Sequence, residues 1–296
     1  MHWIKGLSAF PITPCLTDGR VDTDALQSLL DRLVLAGVDS IGLLGSTGSY
    51  AFLTRSERRR AVRAAVACVA GRVKLLVGVG ALRRGEAVAL AQDAKAAGAN
   101  AGLLAPVSYA RLTDEEVFGL FDAVAKAGLP LCIYNNPATT HFSFSPELVG
   151  RLAHVPGVVA VKNPAPSPQE SAASVQALRS RVPDGFSVGF SVDWHAAAAL
   201  LAGGDAWYSV LGGLYPATCL RLTRAAQAGD ATEVARIDGR LQPLWSLFRE
   251  HSSYRVMHLA AALAGIPNAA PPRPVLPLTG QAARSVEQVL NELTLD

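Results

Sequence analysis

Short apolar runs alternate with stretches of helical periodicity through the first two thirds of the chain. The runs are Leu7–Ile12, Ser40–Leu44, Lys74–Val79, Ala101–Ala105, Leu131–Asn135, Val158–Lys162, Phe186–Phe190 and Ala206–Val210. Runs of this length, bounded by Gly, Pro and Asn, predict strands covered on both faces, as in a parallel sheet. Helix-start chemistry lies between them: Thr54-x-x-Glu57, Thr113-x-x-Glu116 and Ser167-Pro168-x-Glu170 read as capping boxes, and Ser145-Pro146-Glu147 as a further start. Gly37, Gly98 and Gly128 stand where helices should end. Eight strands alternating with helices in under 300 residues predict an α/β fold, a (β/α)8 TIM barrel. An open doubly wound sheet also fits the periodicity. Beyond the eighth strand, Pro216 to Asp296 reads as purely helical, broken at Pro267–Pro277. The expected organisation is therefore a barrel carrying the active site over 1–215, then its last helix and a C-terminal helical extension over 216–296.

Lys162 closes the run Gly157-Val158-Val159-Ala160-Val161-Lys162, and Asn163-Pro164-Ala165-Pro166 follows at once. The pattern predicts a buried strand that stops at the proline. A lysine there is costly, because its charged form resists desolvation. One βα period earlier, Leu131-Cys132-Ile133-Tyr134-Asn135-Asn136-Pro137 has the same shape. A tyrosine and a lysine are thus expected at the same end of adjacent parallel strands, roughly 5 Å apart. Lysine amines freed from their proton by burial attack carbonyl groups and form Schiff bases. A lysine snorkelling from a strand end to solvent is the plainer alternative.

Composition narrows the field. Half of the 296 residues are hydrophobic, enough for a large core, and 27 basic against 24 acidic residues leave a net charge of only +3. The one basic cluster, Arg55, Arg58, Arg59, Arg60 and Arg63 with Glu57, reads as a solvated helix face rather than a nucleic-acid surface, since no aromatic residues interleave. Four scattered cysteines lack metal or redox spacing and read as reduced thiols of a cytoplasmic protein. The start Met1-His2-Trp3-Ile4-Lys5-Gly6 has no signal-peptide core, and Ala196–Ala202 is too short to span a membrane. No metal or cofactor is expected: the histidines are dispersed, and Gly78-x-Gly80 lacks a third glycine at dinucleotide spacing.

In a parallel barrel, catalytic groups gather at the carboxyl ends of strands. Those ends carry Gly45-Ser46-Thr47-Gly48-Ser49, Ser108-Tyr109, Tyr134-Asn135, Lys162-Asn163, Gly189 with Ser191, and Tyr208-Ser209. The Ser/Thr/Gly turn offers hydroxyl and backbone donors that suit a carboxylate. It matches neither a Walker loop nor a Gly-x-Ser-x-Gly elbow.

Taken in order, Gly45-Ser46-Thr47-Gly48, Ser108-Tyr109, Tyr134-Asn-x-Pro-Ala138 and Val161-Lys162 resemble the dihydrodipicolinate synthase/N-acetylneuraminate lyase family of class I, pyruvate-handling aldolases. The resemblance runs from Thr13-Pro14 into the C-terminal helices. It implies a Schiff base on Lys162, proton transfer by Tyr134, and a pyruvate carboxylate held by Ser46 and Thr47, with Tyr134 hydrogen-bonded to Thr47. It further implies that Tyr109 reaches the relay across a dimer contact. Tyr208 would meet pyruvate through its backbone carbonyl, and Gly189 would lie in a floor loop. A homo-oligomer, dimer or tetramer, is implied too.

The chain departs from the best-known members at three places. Thr139 stands where the synthases use an arginine to grip aspartate semialdehyde, Ser49 replaces a usual glutamate, and Gly189-Phe190-Ser191-Val192-Asp193 carries extra residues. A lost guanidinium removes a contact worth roughly 1.5–3 kcal/mol. Thr139, with Thr140, Ser191 and Tyr208, would line a neutral distal pocket. The function expected is a Schiff-base aldolase or lyase joining or separating pyruvate and an aldehyde, of the 2-keto-3-deoxy-acid or sialate-lyase kind. The alternatives are a 4-hydroxy-tetrahydrodipicolinate synthase or a sugar-acid dehydratase of the same family.

Overall fold

The computed structural model describes residues 3–296; Met1 and His2, where the leaderless start was read, lie outside them. Eight parallel strands close into a barrel in chain order. They are β1 (Gly6–Ala9), β2 (Ser40–Leu43), β3 (Lys74–Gly78), β4 (Ala101–Leu104), β5 (Leu131–Tyr134), β6 (Val158–Pro164), β7 (Ser187–Ser191) and β8 (Ala206–Ser209). Closure is made by β1, which pairs with β2 at Ser8↔Ser40 and with β8 at Gly6↔Ala206. The closed barrel, not the open sheet, is the fold.

The helices are α1 (Thr23–Ala36), α2 (Arg55–Val69), α3 (Arg84–Ala97), α4 (Asp114–Ala125), α5 (Pro137–Thr140), α6 (Pro146–Ala153), α7 (Ser171–Arg179) and α8 (Asp193–Leu201). Beyond β8 come α9 (Pro216–Gln227), α10 (Ala231–His251), α11 (Ser253–Leu263) and α12 (Gly280–Leu293). Leu26, Leu29, Leu30 and Leu33 of α1 show why such segments become barrel helices. Their i, i+3, i+4, i+7 spacing puts all four on one buried face, each side chain worth ~1.5–3 kcal/mol. Asp22 caps that helix by accepting from Ala25 N, and Gly37 ends it in the left-handed region that a glycine enters freely.

The expected starts are realised unequally. Thr113 and Glu116 form a complete capping box, and Ser145 accepts from Leu148 N ahead of Pro146. Thr54 accepts from Glu57 N, but the Glu57 carboxylate takes Val21 N at 2.7 Å instead of closing the box. Ser167 donates to the Glu170 carboxylate, and a short 3-10 turn precedes α7. β6 runs two residues past Lys162. Asn163 and Pro164 stay paired with Phe190 and Ser191, and the strand ends at the proline.

The basic cluster is not uniformly solvated. Arg58 is buried, and its guanidinium donates to the Gly78 and Gly80 carbonyls at 2.8 and 3.0 Å. Burial pushes it down to about 10. Its neighbours Arg55, Arg59, Arg60 and Arg63 are exposed.

Two apolar layers result. One fills the barrel interior with Phe10, Leu76, Leu103, Cys132 and Tyr208; the larger one lies between strands and helices. α10 packs on α8, α9, α11 and α12, which fixes the C-terminal helices against one side of the barrel. Among the described residues, no helix is long and apolar enough to cross a membrane.

Candidate active site

Lys162 and Tyr134 are register partners on β6 and β5, so the two side chains rise side by side. Lys162 is 3% exposed. Its Nζ lies 3.8 Å from the Phe10 ring centroid, 4.4 Å from that of Tyr134 and 5.8 Å from that of Tyr208. None of the ion pairs among the described residues includes it. The amine is therefore buried among aromatic faces, which rules out the snorkelling alternative.

Glycines make room for this box. A Cβ on Gly42 would fall 2.1 Å from Phe10 Cζ, and one on Gly189 would fall 2.5 Å from Tyr208 Cε2. Gly189 thus stands within β7, paired with Lys162, rather than in a floor loop. It serves by letting the Tyr208 ring lie edge-on to Phe10, at 5.9 Å and 85°. The Tyr208 hydroxyl points into the barrel, 3.6 Å from Cys132 Sγ, not into the distal pocket. Burial holds that phenol well above its ordinary range.

The Tyr134 hydroxyl lies 3.0 Å from Ser46 Oγ, and Ser46 takes the place in this contact expected of Thr47. Asn136 Nδ2 donates to both oxygens, at 3.0 Å to Tyr134 and 3.2 Å to Ser46. Each hydroxyl keeps its own proton, and with the amide donating to both oxygens either can be the donor in the contact between them. Tyr134 can then lend a proton to the pocket and recover it from Ser46. The turn carrying Ser46 and Thr47 follows Leu44, at φ 56°, and is closed by Ser49 N donating to Ser46 O at 3.0 Å. Asn135 turns away and donates to Asn163 Oδ1 at 2.6 Å, tying the ends of β5 and β6.

Lys162, Tyr134, Ser46, Thr47, Asn136 and Tyr208 line a cavity of about 280 Å³. Thr139, exposed at its rim, and Ser191 also face it. Thr140 does not: its hydroxyl is spent on the Asn136 and Phe142 carbonyls. Phe248, Ser252, Ser253 and Tyr254 complete the outer wall, so the segment after residue 215 also shapes the pocket. Tyr109 is fully exposed and belongs to no part of the cavity within this chain. Among the described residues, no group of three or more His, Cys, Asp or Glu side chains is placed to hold a metal ion.

Sequence reasoning missed Phe10, Asn136 and Asp193. Asp193 opens α8 behind Val192, a β-branched residue held at φ 68°. Such a residue is a backbone outlier. The buried Asp193 carboxylate accepts from Leu211 N at 2.9 Å, Trp207 Nε1 at 3.0 Å and Ser209 Oγ at 3.2 Å. It thereby ties α8 to β8 and the turn beyond. Burial raises it to about 6 against the pull of those donors and of Lys162.

An acid raised on folding binds its extra proton in the folded state. Its contribution to stability declines as pH rises from the unfolded value through about 6, by ~3 kcal/mol in all. His258, pushed down to about 4 by burial, acts in the opposite sense, so wild type alone does not isolate the effect. The stability of wild type relative to Asp193→Asn should fall by on the order of 3 kcal/mol between about pH 4 and about pH 7. Denaturant unfolding across that range measures it, and a constant difference would mean that Asp193 ionises normally.

The comparisons with known proteins agree with this geometry. The profile of the Dihydrodipicolinate synthetase family matches residues 3–293. A 4-hydroxy-tetrahydrodipicolinate synthase from Methylococcus capsulatus is 36% identical over 242 residues, 81% of this chain and 82% of the relative. Another from Methylibium petroleiphilum is 34% identical over 300 residues, covering all of both chains. Among solved structures, dihydrodipicolinate synthase from Agrobacterium tumefaciens is 54% identical, with a TM-score of 0.96 over 98% of each chain. The chloride-inhibited dihydrodipicolinate synthase from Acinetobacter baumannii, complexed with pyruvate, is 26% identical, with a TM-score of 0.91 over 99% of this chain and 100% of that one. The chain belongs to the dihydrodipicolinate synthetase family, and with it to the class I aldolases, lyases that form a Schiff base with pyruvate.

Proposed function

We propose that Lys162 attacks the keto carbon of pyruvate, and that the pocket joins the resulting enamine to an aldehyde or releases it by aldol cleavage. The observation that carries this reading is the unpaired amine in its aromatic box, beside the Tyr134–Ser46–Asn136 triangle. The neutral amine adds to the carbonyl, water leaves, and the iminium withdraws electrons from the neighbouring carbon. A methyl proton then departs by way of Tyr134 and Ser46 to give the enamine, or returns to it after cleavage. Thr47 and the N–H groups of its turn are the donors for the pyruvate carboxylate. No cofactor enters the scheme. Borohydride with pyruvate should leave a reduced adduct on Lys162, located by peptide mass spectrometry. An unmodified Lys162 would sink the reading.

The distal half supports an aldehyde without a second carboxylate. Among the described lining residues Lys162 is the one basic side chain, and Asp193 supplies a negative charge above about pH 6. Thr139 offers a hydroxyl at the rim. Relatives named as 4-hydroxy-tetrahydrodipicolinate synthases favour the second reading, condensation with aspartate semialdehyde. The lining favours the first, cleavage of a 2-keto-3-deoxy acid with a neutral aldehyde product. Steady-state kinetics should give a kcat/KM at least about tenfold higher for that cleavage, the scale of one missing charged contact. Higher efficiency with aspartate semialdehyde would reverse the assignment.

We also assign the protein to a homo-oligomer and, from its four free cysteines, to the cytoplasm. Tyr109 is 100% exposed, Leu82 67% and Phe52 44%, on the segments that follow the neighbouring strands β4, β3 and β2. A second copy would cover these apolar side chains and bring its Tyr109 to the relay. Sedimentation should show a dimer or larger, and Tyr109→Ala should weaken it; a monomeric wild type would end the assignment.

A further inference from the structure

The C-terminal helix α11 touches the carboxylate-binding turn at a place that the proposed chemistry does not use. Ser49 ends that turn in the left-handed region, at φ 58°, with its side chain buried. A non-glycine residue holds this conformation only where its surroundings impose it. The Ser49 backbone is held by Ser46 O and Phe52 N, and its side chain by the Tyr254 hydroxyl, 2.8 Å from its Oγ. Tyr254 in turn lies against His258, one helical turn along the same face of α11, with ring centroids 4.5 Å apart and planes inclined at 58°.

His258 is 2% exposed and is anchored from behind. Its Nδ1 lies 2.6 Å from the Ala269 carbonyl, which accepts only, so Nδ1 carries the proton. The Thr47 backbone lies within reach of the ring and favours its charged form, while the neutral ring's Nε2 makes no hydrogen bond. The ring thus lies against the turn that carries Thr47. The segment behind it is fastened to the barrel, for Asn268 O accepts from Cys15 N at 3.2 Å and Asn268 Nδ2 donates to Asp22 at 2.6 Å.

We propose that Ser49, Tyr254 and His258 are positioning residues that set where Thr47 and its turn stand, and so how tightly the 2-oxo acid carboxylate is held. Tyr254 belongs to the pocket wall, but in this proposal its hydroxyl acts through Ser49. The kinetic consequence rests on the pyruvate reading above; the structural one does not.

The test uses the full chain with Tyr254→Phe, Ser49→Ala and the double variant. The first reading is amide exchange by mass spectrometry across residues 44–50. Each single variant should speed it about 3- to 10-fold, the scale of one lost hydrogen bond, and the double variant should add little. The second reading is the pyruvate concentration for half-maximal borohydride trapping on Lys162. It should rise by a similar factor in each variant, while trapping at saturating pyruvate reaches the wild-type level. Unchanged exchange in both single variants would overturn the proposal. Multiplied effects in the double variant would also overturn it, because the two hydroxyls would then act separately. If wild type traps no pyruvate, the Schiff-base reading falls, and the exchange result alone decides for or against the support. Should Tyr254→Phe fail to fold, Ser49→Ala carries both readings.

Discussion

The structure turns on one constraint: a lysine amine must be buried without an ion pair. Outside water, an unpaired ammonium is expensive, and any carboxylate brought close enough to relieve it would fix the proton on nitrogen. The barrel meets this demand with ring faces. Phe10 at the end of β1, Tyr134 on β5 and Tyr208 on β8 surround Nζ. Rings of that size fit inside an eight-stranded barrel only because Gly42 and Gly189 leave the space they occupy. Barrel closure between β1 and β8 is therefore a chemical requirement as well as a topological one, since it carries Phe10 and Tyr208 to the lysine.

The Asp193 carboxylate shows how a charge can be kept in such a pocket without becoming that partner. It is spent on three donors from β8 and the turn after it. Its field still reaches Lys162, but its geometry belongs to the scaffold. The same division recurs at the Ser46–Ser49 turn, where Ser46 faces the pocket and Ser49 faces α11.

The strand order, the barrel and the pairing of Lys162 with Tyr134 were legible in the sequence, because apolar runs and their polar ends are local signals. What was not legible depends on contacts between distant segments. Phe10 looks like any apolar residue near a strand end until closure sets it beneath Lys162. Arg58 sits in a run of arginines and reads as solvated, but only the third strand's free carbonyls show why it turns inward. Helical periodicity shows that α11 buries a face, not which turn that face meets. That Ser46 rather than Thr47 meets Tyr134 depends on the backbone path of a turn that follows a left-handed Leu44, and composition carries no trace of that path.

Asn136 has a consequence beyond orientation. Because its amide donates to both the phenol and the serine, neither hydroxyl is fixed as the donor in the contact between them. The two arrangements differ only in which hydroxyl turns its own hydrogen toward the other oxygen, and no heavy atom must move to pass between them. Such a relay has no preferred sense. Carbon–carbon bond formation and cleavage would meet the same arrangement of donors, so the concentrations of pyruvate, aldehyde and adduct, and not the architecture, would set the net flow through this pocket.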